Sequence, residues 1–253
     1  MNWTPFITLL KYEINRFLSM WGQSLLAPIT SVLLYMIIFG VSIGQQIHLE
    51  SEHSYLEFII PGLMMIGIMS NSVMNGSFSL FLGKMHGSIF DLLVAPIRAV
   101  EMALAYIIAS VLRGLMIGAM IYAIGYGFSG LVPLHPLIIG AVSVLTAWSF
   151  AAIGLIIAVW AKTFDQLGIF NSFIMTPLIF LGGVFYSLDM LPPFWQTVAR
   201  ANPMLYMIDS LRYGFLGTSD MNPYSSILFL FILSIASTAL LTWIFKSGWK
   251  LRT

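Results

Sequence analysis

The chain has 253 residues, of which 59% are apolar and 8% charged, with a formal net charge of +1 and no cysteine. A soluble domain carries roughly 25% charged residues, so this composition cannot cover a water-facing surface and predicts a polytopic membrane protein. The near-neutral balance excludes the broad basic field of a nucleic-acid binder, and the missing thiols exclude disulfides, thiolate metal sites and cysteine nucleophiles.

Residues 1–21 predict an amphipathic interfacial helix along the inner leaflet. Trp3, Phe6, Ile7, Leu10, Ile14, Phe17, Leu18 and Trp21 recur at helical spacing, while Thr8, Lys11, Asn15 and Arg16 take the other side. Such a helix serves as a membrane anchor or braces a neighbouring subunit. The opening residues lack the pattern of a cleaved signal peptide.

A bilayer core of about 30 Å needs roughly 20 apolar residues as helix. Six runs meet this: Leu25 to Ile43, Phe58 to Leu82, Met102 to Gly127, Leu137 to Ala161, Leu167 to Leu188 and Ile227 to Phe245. Continuous apolar runs contradict the alternation of barrel strands, and backbone in lipid must be paired internally. The expected fold is all-α, six transmembrane helices forming a single domain over residues 1–253.

Lys and Arg in the connections set the orientation. Lys11, Arg16, Lys84, Arg98, Lys162, Lys246, Lys250 and Arg252 fall on one side, while the other keeps Arg200 and Arg212 beside Glu50, Glu52, Glu57, Asp189, Asp209 and Asp220. Both termini are expected in the cytoplasm. His48 and His53 bracket two glutamates but complete no metal ligand set, so a solvated acidic loop is the expectation there.

The loop 84–98 therefore lies on the cytoplasmic side. Gly87 breaks the chain, Ser88 can cap the next amides with Asp91 closing a box, and Pro96 pushes Ala95 out of helical geometry. About two turns remain from Ile89 to Val94, with Ile89, Leu92 and Leu93 on one stripe. A helix this short is unstable alone in water; its stripe rests on lipid headgroups or enters a groove on a partner.

Within the spans, Asn71 and Asn75 share a face of the second, either bonding neighbouring helices or lining a path. Arg113 lies deep in the third span, with no carboxylate at comparable depth in any apolar run. It must meet water, amides such as Asn71, backbone carbonyls or an anionic ligand. Gly40 with Gly44, and Gly114 with Gly118, allow close helix approach. After the fifth span, Asn202 and Pro203 form a capped helix start. Met204, Ile208, Leu211 and Phe215 then make a stripe that dips into the outer leaflet or packs on the spans.

The run Gly87-Ser88-Ile89-Phe90-Asp91-Leu92-Leu93-Val94-Ala95-Pro96-Ile97 resembles the first cytoplasmic loop of type-2 ATP-binding cassette (ABC) exporter permeases, although Ala95 replaces the usual hydroxyl and the acid falls one place late. Gly182-Gly183-Val184-Phe185-Tyr186-Ser187-Leu188-Asp189-Met190-Leu191-Pro192-Pro193, followed by Asn202-Pro203-Met204-Leu205-Tyr206, Asp209 and Arg212, is similar to the same family's segment between spans five and six. The resemblance implies an ATPase-docking site at Gly87, Ser88, Ile89, Asp91, Leu92, Leu93 and Pro96. It also implies an outer gate of re-entrant helices over residues 182–216, containing Gly182, Gly183, Phe185, Pro192, Asn202, Pro203, Tyr206, Asp209 and Arg212, above a translocation path at Asn71, Asn75 and Arg113.

No Gly-x-x-x-x-Gly-Lys-Ser/Thr cradle occurs in the chain, so ATP and magnesium are expected on a separate ABC ATP-binding subunit, in two copies, serving a homodimer of this chain. The implied function is export by alternating access of an amphipathic, lipid-linked or drug-like substrate across a bacterial inner membrane. Two other classes remain open at this level. An intramembrane enzyme would draw on Arg113, Asp209 and Arg212, although no catalytic set converges in the sequence; a passive scaffold would leave the cytoplasmic stripe without a purpose.

Overall fold

The computed structural model describes residues 3–43 and 53–250. Gly44, His48, Glu50, Glu52 and Arg252 lie outside them, so the expectations for the Gly40–Gly44 pair and the acidic loop are not addressed. The described residues form helices and connecting turns, with no strand among them.

Helix α1 covers Trp3–Ser19. A helical rod then runs from Gly22 to Ile43, with α2 (Ala27–Tyr35) between π-helical stretches Gly22–Leu26 and Met36–Ile43. Helix α3 is Tyr55–Met85, α4 Ser88–Val94, α5 Ala99–Ser129 and α6 Pro136–Trp160. A second composite rod joins α7 (Phe164–Ile169), a π-helical stretch (Phe170–Met175) and α8 (Thr176–Phe180). A 3₁₀ turn (Leu188–Met190), α9 (Pro193–Arg200), α10 (Pro203–Leu216) and α11 (Pro223–Ser247) complete the order.

Among the described residues, α3, α5, α6 and α11 are the four helices long and apolar enough to cross a membrane. The expected first and fifth spans are the two composite rods. The fifth is shorter than expected, because its helix gives way to a turn at Leu181, before Gly182 and Gly183.

Helix α3 is the axis of the bundle: 78% of its most apolar stretch is buried, against 28% for α11 at the rim. It packs chiefly on α5 and α6, and small residues set those distances. A Cβ at Gly76 would stand 2.8 Å from the Ala151 carbonyl of α6, and one at Gly114 would stand 2.9 Å from the Ile68 carbonyl of α3. Backbones at such separations gain dispersion contacts that lipid tails cannot match. The Gly114–Gly118 pair therefore serves packing within the chain.

Two cores divide the bundle along α3. The first core gathers Leu63, Met65, Met69, Ile121, Met207 and Leu211. The second core is rich in alanine, with Ala103, Ala105, Ala147, Ala151, Ala152 and Ala158, and includes Phe6 and Leu9 of α1 and Ile89 of α4. Helices α1 and α4 thus root in the same core that sets the spacing of α3, α5 and α6.

Candidate functional site

Helix α4 hangs between α3 and α5. Gly87 caps it at φ +76°, a left-handed conformation natural to glycine, and Ala95 leaves it extended at ψ 152° as Pro96 requires. The cap differs from expectation: it is Gly87, so Ser88 is the first helical residue and its hydroxyl donates to the Gly83 carbonyl at 3.4 Å. A Ser88–Asp91 box therefore does not form, although Asp91 keeps its place in the first turn at the positive helix end.

The stripe expected to dock is the side that faces inward. Ile89 is 1% exposed, and Leu92 and Leu93 are half-buried against the second, alanine-rich core. Positions 90, 91 and 94 fall on the opposite side of a helix with 3.6 residues per turn. Phe90 is 48% exposed and Val94 84%, with Asp91 and Pro96 exposed beside them. Ile89, Leu92 and Leu93 are the root of α4, and Phe90, Asp91 and Val94 are what a partner would meet.

Lys84 stiffens that root. Its ammonium donates to the carbonyls of Ala158 (3.1 Å), Val159 (2.7 Å) and Ala161 (3.1 Å) at the C-terminal end of α6. These groups include carbonyls left unpaired where a helix ends, at the negative end of its dipole. At the start of α5, Glu101 accepts the backbone N–H of Arg98 at 3.1 Å. The α4 segment is thus tied on both flanks.

Above it, α1, α3 and α5 build a polar cluster. Arg113 is 8% exposed and donates to the side-chain oxygens of Asn71 and Asn75, each at 3.5 Å, while its Nε has no partner. The Asn75 oxygen also accepts from Arg16 at 3.0 Å, and the Asn75 amide donates to the Ser110 hydroxyl at 3.0 Å. Arg16 pairs with Glu13 at 3.1 Å, and the Ser79 hydroxyl donates to Glu13 at 2.5 Å. Two guanidinium groups thus share the Asn75 oxygen, and among the described residues the Glu13 carboxylate pairs with Arg16 alone.

The structure brings Asn71, Asn75 and Arg113 together, and with them Glu13, which is 2% exposed and which the sequence reading does not single out. Its signal lies in spacing: Phe6, Leu9, Glu13 and Phe17 are the buried residues of α1, so a carboxylate occupies the inward stripe. Part of the expected apolar stripe faces outward instead, with Trp3 60%, Ile7 41% and Trp21 60% exposed.

The outer segment is held by a second buried arginine. Arg212 donates to the Gly183 carbonyl at 2.7 Å and stands 3.8 Å above the Phe58 ring, fastening the 181–187 turn to α3 and α10. Tyr55 donates to the Phe185 carbonyl at 2.9 Å, and the Phe185 ring packs 4.9 Å from that of Phe39. Asn202 caps α10 by accepting from the Met204 amide at 3.0 Å and donates to the Leu178 carbonyl at 2.7 Å. Tyr206 donates to the Arg200 carbonyl at 2.8 Å, while Pro192 precedes α9 and Pro203 opens α10.

Asp209 accepts from the Ser219 hydroxyl (2.6 Å) and the amides of Asp220 (2.9 Å) and Met221 (3.0 Å). Burial pushes its carboxyl above the usual range, opposed by those hydrogen bonds; burial lowers the Arg212 guanidinium to about 10. Both side chains are engaged by the fold. The stripe Met204, Ile208, Leu211 and Phe215 is at most 2% exposed and packs in the first core. It does not dip into the outer leaflet.

The inner membrane transport permease YadH of Escherichia coli (strain K12) is 39% identical over 246 residues, covering 96% of this chain and 94% of that protein. Nodulation protein J of Rhizobium leguminosarum bv. viciae is 27% identical over 229 residues, covering 86% of each. The profile of the ABC-2 type transporter family matches residues 4–216, which takes in α1, the α4 loop, the polar cluster and the outer segment through α10. The chain belongs to the ABC-2 type transporter family.

Proposed function

We propose that this chain is the membrane subunit of an ATP-driven exporter, moving an amphipathic substrate, lipid-linked or drug-like, out of the cytoplasm by alternating access. Membership of the ABC-2 type transporter family makes it a transport subunit that works with an ABC ATPase. The finer reading is that two copies of the chain, each with six spans and cytoplasmic termini, pair with two ATPase subunits in a bacterial inner membrane, as the name of the Escherichia coli relative suggests.

One observation carries this reading. Helix α4 is rooted by Ile89 in the core that joins α1, α3, α5 and α6, while Phe90 and Val94 stand exposed on its far side. Apolar anchors at i and i+4 are how a helix is read by a groove, and a rigid root is what converts motion of that groove into tilt of the bundle. The partner must grip differently in its two states, or nothing is transmitted. The path then runs past Asn71, Asn75 and Arg113, with the 182–216 segment as its outer gate.

The test is a Phe90→Asp, Val94→Asp double variant reconstituted with its ATPase. It is expected to fold normally, because both side chains are exposed, yet to lose transport and the effect of substrate on ATP hydrolysis. Wild-type transport by that variant overturns the docking role of α4.

A further inference from the structure

A cavity of about 420 Å³ opens where α3, α6 and α11 end on the cytoplasmic side, lined by Phe81, Lys84, Met85, Trp160, Lys162 and Lys250 among others. Three ammonium groups converge there, and among the described residues no carboxylate lies within ion-pair distance of any of them. Lys84 is held in place by the three α6 carbonyls. Lys162 is exposed, and Lys250 stands 5.0 Å from the ring of Trp249. Trp160 and Trp249 are 52% and 47% exposed beside the cavity.

Each part points to the same ligand chemistry. Clustered lysines at the cytoplasmic end of spans attract phosphate-bearing headgroups. Tryptophan sits at the depth where headgroup meets acyl chain, and Phe81, Met85 and Val159 supply an apolar wall for the chain below. We infer that this cavity binds the phosphate headgroup of an anionic phospholipid from the cytoplasmic leaflet, clamping the ends of α3, α6 and α11 around it. Lys84, whose three N–H donors are taken by the α6 carbonyls, adds its charge to the attraction, while Lys162 and Lys250 donate to the headgroup. The inference takes from the proposed function only the leaflet that the cavity faces.

Trp160 and Trp249 provide the readout, taken as the part of the emission that a Trp160→Phe, Trp249→Phe variant lacks, since five other tryptophans also emit. The purified chain is placed in vesicles containing brominated phosphatidylglycerol or brominated phosphatidylcholine, and quenching of tryptophan emission is compared. The expected result is a preference for the anionic lipid on the order of tenfold, lost in Lys162→Ala, Lys250→Ala and restored in Lys162→Arg, Lys250→Arg. The arginine pair also shows that loss of preference is not loss of fold.

Equal quenching by the two lipids in the wild type overturns the inference. So does abolition of the preference by excess inorganic phosphate, which would assign the site to a free anion. Unchanged lipid preference in the alanine pair, with loss of ATPase co-purification, overturns it in favour of a protein surface. Transport is not measured, so failure of the exporter reading leaves this readout intact; accessibility of Lys162 to an impermeant amine reagent from outside the cell would instead show the leaflet assignment to be wrong.

Discussion

Two buried arginines of the same chemistry are provisioned in opposite ways. Arg212 has a short bond to the Gly183 carbonyl and the face of Phe58 beneath it; Arg113 has only two long bonds to amides, and the Nε of each lacks a partner. The outer arginine is a strut, because its contacts can be made only when the 181–187 turn is in place. The inner one is loosely held beside a second cation, Arg16, with which it competes for the Asn75 oxygen. A group held in this way is suited to a path that must change its contacts, since little bonding is lost when the surroundings move.

Substitutions can break or sharpen this contrast. Arg212→Ala should have the largest effect on stability, about 3 kcal/mol, from a lost charge-assisted hydrogen bond and a desolvated cation–π contact; thermal unfolding in detergent measures it. Arg212→Lys should recover only part, because an ammonium lacks the planar fork. Glu13→Gln should follow at about 2 kcal/mol, since it leaves Arg16 without its carboxylate partner beside the buried Arg113.

Asn202→Ala should cost about 1 kcal/mol as a lost helix cap. Arg113→Ala should be smallest, within about 1 kcal/mol, because removing a poorly paired buried charge also relieves its desolvation, yet it should lower transport more than any of the others. Combined with Glu13→Gln, it should be less destabilising than the sum of the two. An Arg113→Ala loss equal to that of Arg212→Ala would dissolve the distinction.

Much of this layout is legible in the sequence. Gly87 and Pro96 bracket α4 because each acts through its own backbone geometry, and Asn202-Pro203 marks the start of α10 for the same reason. Facing is less legible. Ile89, Leu92 and Leu93 form a real stripe, but spacing cannot say whether the cover is a partner or the chain's own core, and the answer depends on where Phe81, Phe6 and Leu9 come to rest. The stripe of α10 fails as an outward surface for the same reason.

Glu13 shows the converse case. Its value comes from Ser79 and Arg16, one of them 66 residues away along the chain, and within α1 it reads simply as a charge on an amphipathic helix. The π-helical stretches at Gly22–Leu26, Met36–Ile43 and Phe170–Met175 fall in runs whose all-round apolarity hides any change of helical period.

The absence of cysteine from the chain makes the most direct test of α4 a clean one. Single cysteines at Val94 and at Ile89, in the complex with its ATPase, are treated with a short heterobifunctional reagent that joins the thiol to a lysine amine of the ATPase. The expected result is that Val94→Cys cross-links to the ATPase subunit, with a yield that changes when ATP is bound, while Ile89→Cys does not react. Cross-linking from Ile89→Cys with none from Val94→Cys would contradict the account, since the inward stripe would then be the surface that the partner grips.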